Sequence, residues 1–383
     1  MNLGRDNHPD LREAVAALCS EFDSSYWQEV DEKRVYPEKF VDALTKAGWM
    51  SALIPEEYGG SGLSLTEASV IMEEITRSGG NAGCCHGQMY NMNTLLRNGS
   101  PQQKKQYLPR IASGELRLQA MAVTEPTAGT DTTKIKTTAV RKGDRYVVNG
   151  QKVWTSRLQH SDLMILLTRT TPLDKVVKKS EGLSTFIVDT KSKGIDIKPI
   201  RNMVNHETNQ VFIDNLEIPA ENLIGEEGKG FRYILDGLNA ERILIAAECI
   251  GDGYWFVEKA TGYAKERTVF ERPIGQNQGI QFPIAEAYME IEAANLMRYK
   301  ACALYDQRKN CGAEANMAKH LCAKASWEAA NVCIQTHGGF GFAAEYDVER
   351  KFRENRLYLV APISTNLILS YLAEHVLGLP RSF

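Results

Sequence analysis

The sequence predicts an α+β protein in three parts: an N-terminal helical domain (1–117), a middle β domain (118–227) and a C-terminal domain of four-helix-bundle type (228–383). Three observations support this plan. Apolar residues recur at helical spacing through the first third of the chain, short β-branched runs replace them at Gln119, and helical spacing returns after Gly228. Helices and strands that are segregated along the chain in this way are typical of the α+β class.

The N-terminal part contains three amphipathic stretches, which are FVDALTKAGW, TEASVIMEEITRSGG and PQQKKQYLPRIAS. In each of them apolar residues lie three or four positions apart, so one face of a helix would be apolar. We therefore predict that this part is helical.

The middle part is a series of short runs rich in β-branched residues, namely MAVTEP, KTTAVRKGDRYVVNGQKVWT, LMILLTRT, LSTFIVDT and QVFIDNLEIP. Within it RKGDRYVVNG carries a Gly-Asp pair between two such runs, which predicts a β-hairpin. The C-terminal part is predicted to be helical to Leu377, including the long stretch FRYILDGLNAERILIAAECIGDGYWFVEKATGYAKERTVF.

Composition excludes several classes of protein. The 383 residues are 43% hydrophobic and 24% charged, and the formal net charge is -3, so neither a nucleic-acid nor a membrane partner is expected. No window approaches the roughly 18 apolar residues of a membrane helix, and the N-terminus lacks the pattern of a signal peptide, which predicts a cytoplasmic location. The eight cysteines show no C-x-x-C spacing, so we expect reduced, packed thiols and no metal site.

Three segments have the residues of a binding site, and each has an ordinary alternative. In AMAVTEPTAGTD (120–131), hydroxyls and backbone N–H groups at a turn suit a polar cofactor edge or a phosphate, or the segment is a plain Pro-Gly connection. In KVWTSR (152–157), the indole forms one wall of a flat-ring site, or it is a core residue. In HGGFGF (337–342), the glycines end a helix or let the backbone approach a ligand closely.

A carboxylate lies within an apolar helical stripe in LNAERILIAAE. Glu241 shares one helical face with Ile234, Leu238 and Ile245. Burial raises the pKa of a carboxyl group, and a general base that acts on a weak carbon acid at neutral pH needs a raised pKa. The alternative is a structural ion pair with another helix. Glu248, two turns further on, is a weaker candidate on the same face.

The stretch RLYLVAPISTNLI (356–368) near the C-terminus also has the composition of a site. It contains a proline and three small polar side chains, but no carboxylate, His or Cys. If this stretch lines an active site, the acid or base must come from elsewhere in the chain.

Together these segments resemble the acyl-CoA dehydrogenases, flavoenzymes that oxidise acyl-CoA thioesters to 2-enoyl-CoA. AVTEPTAGTD resembles the flavin-binding T-E-P-x-A-G-S-D signature, with Thr130 where Ser is usual, and KVWTS resembles the W-x-[ST] strand. YAKERTVFERPIGQNQGIQ resembles Y-x-x-x-R-x-x-F-G-x-P-I-x-x-x-Q, and QTHGGFGF resembles Q-x-x-G-G-x-G. One departure is Glu271, where the family usually has Gly.

The resemblance implies an FAD site and assigns residues to it. Trp154 would pack against the isoalloxazine, and Ser156 would form a hydrogen bond near its N5. The flavin and thioester region would be lined by Met121, Val123, Thr124, Gly129 and Thr130. The adenosine and pyrophosphate would be held by Arg267, Phe270 and Gln278 of the adjacent subunit, and the same half of the cofactor by Gln335, Gly338 and Gly339. A cofactor shared between subunits implies a homo-oligomer, usually a dimer of dimers.

The resemblance also explains the stretch without a base. RLYLVAPISTNLI aligns with I-Y-E-G-T-x-Q-I-Q, whose glutamate is the usual base, so Pro362 takes the place of the glutamate, and Ser364 and Asn366 take those of Thr and Gln. A minority of the family, including the isovaleryl-CoA type, has its base in L-D-x-E-R, and LNAER matches this with Glu241 followed by Arg242, which would brace the site.

The implied reaction is α,β-dehydrogenation, in which Glu241 removes the α-proton and the β-hydrogen leaves as hydride to flavin N5. The backbone N–H that polarises the thioester carbonyl in the family cannot come from Pro362, because proline has none. Either the register shifts by one residue and Ile363 donates, which we expect, or the enzyme lacks this donor. The implied electron acceptor is an electron-transferring flavoprotein, and the implied substrates are short-to-medium or branched acyl-CoAs. Alternatives are a related flavin oxidase or monooxygenase, and a non-catalytic FAD-containing protein that binds acyl-CoA.

Overall fold

The computed structural model describes residues 7–382 and divides into two compact units. We call the first the β unit; it consists of Val35–Leu63 and Gly83–Glu241. The second, the helical unit, consists of the described residues before Val35, Ser64–Ala82 and the described residues from Arg242 onward. The predicted α+β plan of helices, then strands, then helices is confirmed, whereas the domain limits at 117 and 227 stay a prediction.

The secondary structure follows the predicted order. In chain order the helices are α1 (Pro9–Cys19), α2 (Ser24–Lys33), α3 (Glu38–Lys46), α4 (Leu65–Arg77), α5 (His86–Asn98), α6 (Pro101–Ala112), α7 (Gly230–Glu266), α8 (Gln278–Asp306), α9 (Gly312–His337), α10 (Val348–Arg356) and α11 (Thr365–His375). The strands are β1 (Ala120–Ala122), β2 (Thr138–Lys142), β3 (Arg145–Ser156), β4 (Leu163–Arg169), β5 (Leu183–Asp189), β6 (Ile195–Pro199), β7 (Thr208–Pro219), β8 (Leu223–Ile224), β9 (Thr268–Val269) and β10 (Arg272–Pro273).

The β unit is built on one sheet with strand order β6-β7-β3-β2-β4-β5-β8, and β1 pairs in parallel with β4. The predicted hairpin is confirmed: β2 and β3 pair antiparallel with Lys142 opposite Arg145, and the turn between them has Gly143 at φ 64. All seven residues of β4 are buried. They are covered on both faces, since Ile165 and Leu167 belong to one core cluster and their neighbours along the strand to the other.

The helical unit buries charge as well as apolar surface. Arg12 of α1 and Arg298 of α8 both form ion pairs with Glu73 of α4, and all three side chains are buried. Burial opposes ionisation of Glu73, yet the two arginines outweigh it and lower the pKa of that carboxyl group. None of the helices in the described part of the chain is long and apolar enough to span a membrane.

One helical prediction is wrong at its end. The sequence stretch after Gly230 was expected to stay helical through Phe270, but α7 ends at Glu266 after 37 residues, and β9 and β10 form a small hairpin. The central residues of its turn are Phe270 and Glu271, both at positive φ (51 and 63), as in a type I′ turn. Helical periodicity missed the turn because such turns normally carry Asn or Gly, and neither residue is present here.

Candidate active site

The predicted flavin-binding segment of the β unit is the loop that follows β1. Met121 lies on β1 and Val123 follows it, and both are half-buried against a core cluster that includes Ile234 of α7. The carbonyl oxygen of Thr124 accepts a hydrogen bond from the Val153 amide at 2.9 Å, which joins the loop to β3. Beyond this point the loop turns outward, so that Gly129 and Thr130 are exposed.

An ion pair that the sequence analysis missed fastens this loop. Glu125 and Lys152 are both buried, and the Lys152 ammonium donates to Glu125 Oε1 and to the Val123 carbonyl oxygen, each at 2.9 Å. The Glu125 carboxylate also accepts from the backbone amides of Lys136 (2.6 Å) and Thr137 (2.9 Å). A clue was present in the sequence: Lys152 continues the inward-facing alternation of Tyr146 and Val148 along β3.

Burial and charge act on this pair in opposite directions. Burial lowers the pKa of Lys152 to about 8, although Glu125 works against this shift. Burial also opposes ionisation of Glu125, but Lys152 and the amide donors prevail and lower the pKa of that carboxyl group. The loop is therefore held in place by a charged hydrogen-bond network.

Trp154 is not a core residue, so that alternative for KVWTSR is wrong. Its side chain is 59% exposed, and its backbone has φ 61 where the pairing of β3 with β7 is interrupted between Lys152 and Thr155. A large side chain held at positive φ is strained, and such strain is common at functional sites. Two residues on, Ser156 Oγ accepts a hydrogen bond from Asn205 Nδ2 at 2.9 Å, which fixes the direction of the hydroxyl.

Arg157, the next residue, is a second feature that the sequence analysis missed. It is 3% exposed and lies at φ 59. Its guanidinium donates to the Gly83 carbonyl oxygen and, at 3.2 Å, to the hydroxyl of Tyr90 on α5. Sequence periodicity gives no sign of this burial, because Arg157 follows the last residue of a strand.

Glu241 is buried in α7, as the helical spacing predicts. Its side chain is 6% exposed, Ile234 and Ile245 on the same face are buried, and Leu238 packs against the core of the β unit. One turn earlier, Gly237 lies against α5: a Cβ atom placed on it would be 2.7 Å from Thr94 Oγ1. Arg242, the predicted bracing residue, is half-buried.

Glu248, the weaker candidate for the base, is buried and hydrogen-bonded within the helical unit. It is fully buried, and Tyr358 donates its hydroxyl hydrogen to Glu248 Oε2 at 3.0 Å. The hydroxyl of Thr76 in α4 donates to the backbone carbonyl oxygen of Glu248 at 2.9 Å. These bonds tie α7 to α4 and to the segment that follows α10.

A buried lysine holds the segment around Pro362 in place. Lys319 of α9 donates from Nζ to the carbonyl oxygen of Ile363 at 2.9 Å. The amide N–H of Ile363 donates no hydrogen bond to any residue between 7 and 382. The hydroxyl of Ser364 caps α11 by accepting from the Leu367 amide at 3.3 Å, and Asn366 is exposed.

The residues predicted to hold the far half of the cofactor all lie in the helical unit and are all exposed. Phe270 is 94% exposed, and the guanidinium of Arg267 lies 5.5 Å from the ring centre of Phe340. The glycine cluster is a helix end, since α9 stops at His337 and Gly338 follows at φ 57. The exposed set comprises Arg267, Phe270, Gln278, Gln335, Gly338 and Gly339.

No group of three or more metal-binding side chains converges in the part of the chain that the structure describes. The β unit does offer a flat, exposed indole two residues from an oriented hydroxyl, and it also contains a buried carboxylate on α7. Such a set suits the binding of a planar aromatic cofactor and the removal of a proton from a nearby carbon.

Comparison with known proteins gives the family. Three family models match successive parts of the chain: the acyl-CoA dehydrogenase N-terminal domain at 5–115, the middle domain at 120–216 and the C-terminal domain at 228–376. Acyl-CoA dehydrogenase FadE12 of Mycobacterium tuberculosis is 36% identical over 378 residues, which is 97% of this chain and 96% of that protein.

Two further relatives agree with this match. The caffeyl-CoA reductase-Etf complex subunit CarC of Acetobacterium woodii is 34% identical over 337 residues, or 87% of this chain and 88% of that protein. Among solved structures, glutaryl-coenzyme A dehydrogenase in complex with glutaryl-CoA has a TM-score of 0.92 and 30% identity, and the match covers 100% of this chain and 98% of that one. The chain therefore belongs to the acyl-CoA dehydrogenase family of oxidoreductases.

Proposed function

We propose that this chain converts an acyl-CoA thioester to the 2-enoyl-CoA, with FAD as its cofactor and Glu241 as the base that removes the α-proton. The observation that carries the proposal is the burial of Glu241 in the apolar face of α7 within the β unit, the unit that also contains Trp154 and Ser156. A carboxylate can act as the general base that removes a proton from carbon.

The isovaleryl-CoA type of base placement supports the choice of Glu241 over Glu248. LNAER matches the family sequence that carries the base on the earlier helix, and Pro362 replaces the usual glutamate. Glu248 is bonded to Tyr358, so its carboxylate already has a role inside the helical unit.

The residues of the β unit fit a flavin. The exposed Trp154 indole presents a flat face, the oriented Ser156 hydroxyl lies two residues away, and the anchored loop after β1 presents Gly129 and Thr130 to solvent. When bound, FAD would supply the acceptor for the β-hydrogen as hydride. The protein residues would hold the ring, exclude water from one face and direct a hydroxyl hydrogen at its edge.

Ile363 would supply the backbone donor that polarises the thioester carbonyl. Its N–H makes no bond to a described residue, and Lys319 holds the carbonyl oxygen of the peptide that follows, which anchors the residue that carries the donor. A donor that is fixed before the reaction stabilises the negative charge that develops on the carbonyl oxygen, and each such donor is worth about 3 kcal/mol. Arg242 would brace this region, and Ser364 and Asn366 would bind the cofactor nearby.

Exposed residues of the helical unit support a homo-oligomer, in line with the predicted dimer of dimers. Residues that the family uses to bind the FAD of the adjacent subunit are all exposed here, and Phe270 is almost fully so. Helix α8 also exposes Phe282, Met289 and Leu296, which are spaced by seven residues and form one apolar stripe. A second copy of the chain would cover this stripe.

An electron-transferring flavoprotein is the proposed electron acceptor. One relative is named as a subunit of a complex with such a protein. The chain length and branching of the acyl group, and the cytoplasmic location, stay predictions from the sequence.

The proposed function is tested by mixing the FAD-loaded protein with acyl-CoAs in the absence of oxygen and following the flavin absorbance. Wild type should lose its absorbance, and Glu241→Gln should do so about 10²- to 10⁴-fold more slowly while it still binds the thioester. The control, Glu248→Gln, should keep the wild-type rate. Equal rates for wild type and Glu241→Gln would assign the base elsewhere.

The same experiment separates the alternatives. A non-catalytic binding protein would show no bleaching with any acyl-CoA. An oxidase or monooxygenase would be bleached but would reoxidise rapidly when air is admitted, whereas a dehydrogenase should reoxidise slowly.

A further inference from the structure

Arg157 is a buried cation with unused hydrogen-bonding capacity. A guanidinium has five N–H groups. In Arg157 they meet two acceptors, the Gly83 carbonyl oxygen and the Tyr90 hydroxyl, and Nε has no partner. No carboxylate among residues 7–382 lies within ion-pair distance of Arg157. The more distant charge of Glu207 contributes to a raised pKa of the guanidinium. Buried charges are normally paired, so an arginine in this state is unusual.

Arg169 in the same unit shows what a structural buried arginine looks like in this protein. It too makes no ion pair with a described residue, but its three nitrogens donate to five carbonyl oxygens. Arg169 is thus fully used in joining loops around β4. The contrast indicates that Arg157 has N–H groups available to bind a ligand.

Two more polar side chains without partners lie on α5, the helix that meets Arg157 at Gly87 and Tyr90. Asn91 and Thr94 are fully buried, and neither the Asn91 amide nor the Thr94 hydroxyl finds a hydrogen-bond partner. They share one helical face with Gly87, at spacings of four and seven residues. A Cβ atom on Gly87 would lie 2.9 Å from Arg157 Nη2, so this face of α5 meets the guanidinium.

The position of this face relates it to the proposed reaction. At its C-terminal end, a Cβ atom on Gly237 would lie 2.7 Å from Thr94 Oγ1, and Gly237 is one turn before Glu241 on α7. At its other end Arg157 directly follows Ser156. All these residues belong to the β unit, and this face of α5 thus contacts both the helix that carries the proposed base Glu241 and the residue that follows Ser156.

Resting on the proposed function, we propose that the acyl chain of the substrate ends in a carboxylate, which Arg157 binds with the help of Asn91 and Thr94. The guanidinium offers a planar fork of N–H groups that matches the two oxygens of a carboxylate. The Asn91 amide and the Thr94 hydroxyl supply further donors. An alkyl chain would instead leave Arg157 Nε, the Asn91 amide and the Thr94 hydroxyl buried without partners, which is unfavourable.

The test compares pairs of acyl-CoAs of equal length under anaerobic conditions: pentanoyl with glutaryl, and hexanoyl with adipoyl. For the FAD-loaded wild type, the second-order rate constant of flavin reduction should favour the carboxylated member of at least one pair tenfold or more. Arg157→Gln should reduce this preference about 10- to 100-fold, and Arg157→Lys should retain part of it. The control, Arg169→Gln, should lower stability but leave the preference unchanged.

A binding measurement provides a readout that does not depend on turnover. The products 2-hexenoyl-CoA and 2-hexenedioyl-CoA cannot be dehydrogenated again at the same carbons, and calorimetry gives their affinities for the oxidised protein. The wild type should bind 2-hexenedioyl-CoA at least tenfold more tightly than 2-hexenoyl-CoA. Arg157→Gln should bind the two products with equal affinity. If Arg157→Gln does not fold, Thr94→Val replaces it in this experiment and should reduce the ratio of the two affinities.

The inference fails if the alkyl member of every pair is equal or preferred, if 6-hydroxyhexanoyl-CoA is preferred to adipoyl-CoA, or if Arg157→Gln weakens both members equally. These results leave the proposed function intact. If instead no acyl-CoA bleaches the flavin, the proposed function fails, and the product affinities still decide whether Arg157 recognises a carboxylate.

Discussion

The ammonium group of Lys319 donates a hydrogen bond to the carbonyl oxygen of Ile363 at 2.9 Å, and the lysine is completely buried. A buried ammonium group must be paired to be tolerated, and this bond ties the residue after Pro362 to α9. The proposed thioester donor therefore depends on a residue 44 positions earlier in the chain.

Lys319→Met should expose this dependence, since Met keeps the apolar stem of the side chain and removes the donor. We expect the free energy of unfolding to fall by about 1–3 kcal/mol, because the carbonyl oxygen loses its charged partner. The rate constant of flavin reduction should fall as well, because Ile363, which carries the proposed donor, loses its anchor to α9. Denaturant titration and anaerobic bleaching measure the two effects. Lys324→Met, on the exposed side of the same helix, should change neither, and identical behaviour of the two variants would refute the prediction.

Lys152 should give the protein a characteristic pH dependence. Its pKa in the folded protein is lowered to about 8 from 10.5, so between pH 8 and 10.5 the unfolded chain binds more protons than the folded one. Stability then rises with pH in this window. Relative to Lys152→Met, the free energy of unfolding of the wild type should increase by roughly 2 kcal/mol from pH 8 to pH 10. Denaturant titrations at four pH values measure this, and parallel curves for the two proteins would count against it.

Glu271→Gly should stabilise the protein. Glu271 lies at φ 63 in the turn between β9 and β10, and this backbone conformation costs a residue with a side chain about 1 kcal/mol relative to glycine. The melting temperature and the free energy of unfolding should both rise. Glu271→Ala removes the same charge but keeps a Cβ atom, so it should give little or no gain. A gain of equal size in both variants would point to charge and not to backbone strain.

Gly237→Ala should destabilise the protein, whereas Gly262→Ala in the same helix should not. The new methyl group at position 237 would lie 2.7 Å from Thr94 Oγ1 and 3.1 Å from the Tyr90 carbonyl oxygen, so the Thr94 side chain or the two helices must shift, at about 1–3 kcal/mol. Position 262 has no atom within 4 Å of the added Cβ, and there the better helix propensity of Ala should add up to about 1 kcal/mol. Denaturant titration gives the free energy of unfolding of each variant, which should fall for Gly237→Ala and rise for Gly262→Ala. A fall in both variants would contradict the close approach at Gly237.

Local patterns predicted the elements of this fold well. The Gly143-Asp144 pair fixed a two-residue turn, and the helical spacing around Glu241 predicted its burial, because both depend only on neighbours in the sequence. The turn at Phe270 and Glu271 was missed, since neither residue type normally adopts positive φ.

The polar contacts of the candidate site could not be predicted from local sequence patterns. Periodicity places Lys152 on the inward side of β3, but it does not show that Glu125, 27 residues earlier, lies there to meet it. In the same way nothing near Arg157 in the sequence indicates that it reaches Tyr90, 67 residues away. Such pairs are formed by the tertiary fold, and a single sequence contains no record of which distant residues meet.

The eight buried cysteines give this protein an internal probe of local opening. Alkylating reagents attack thiolates, and burial both shields these thiols and raises the pKa of groups such as Cys84 and Cys249. Labelling should therefore occur only when the surrounding structure opens. Cys84 and Cys85 belong to the β unit and the other six to the helical unit, so mass spectrometry of the labelled peptides would time the opening of each unit separately in one sample.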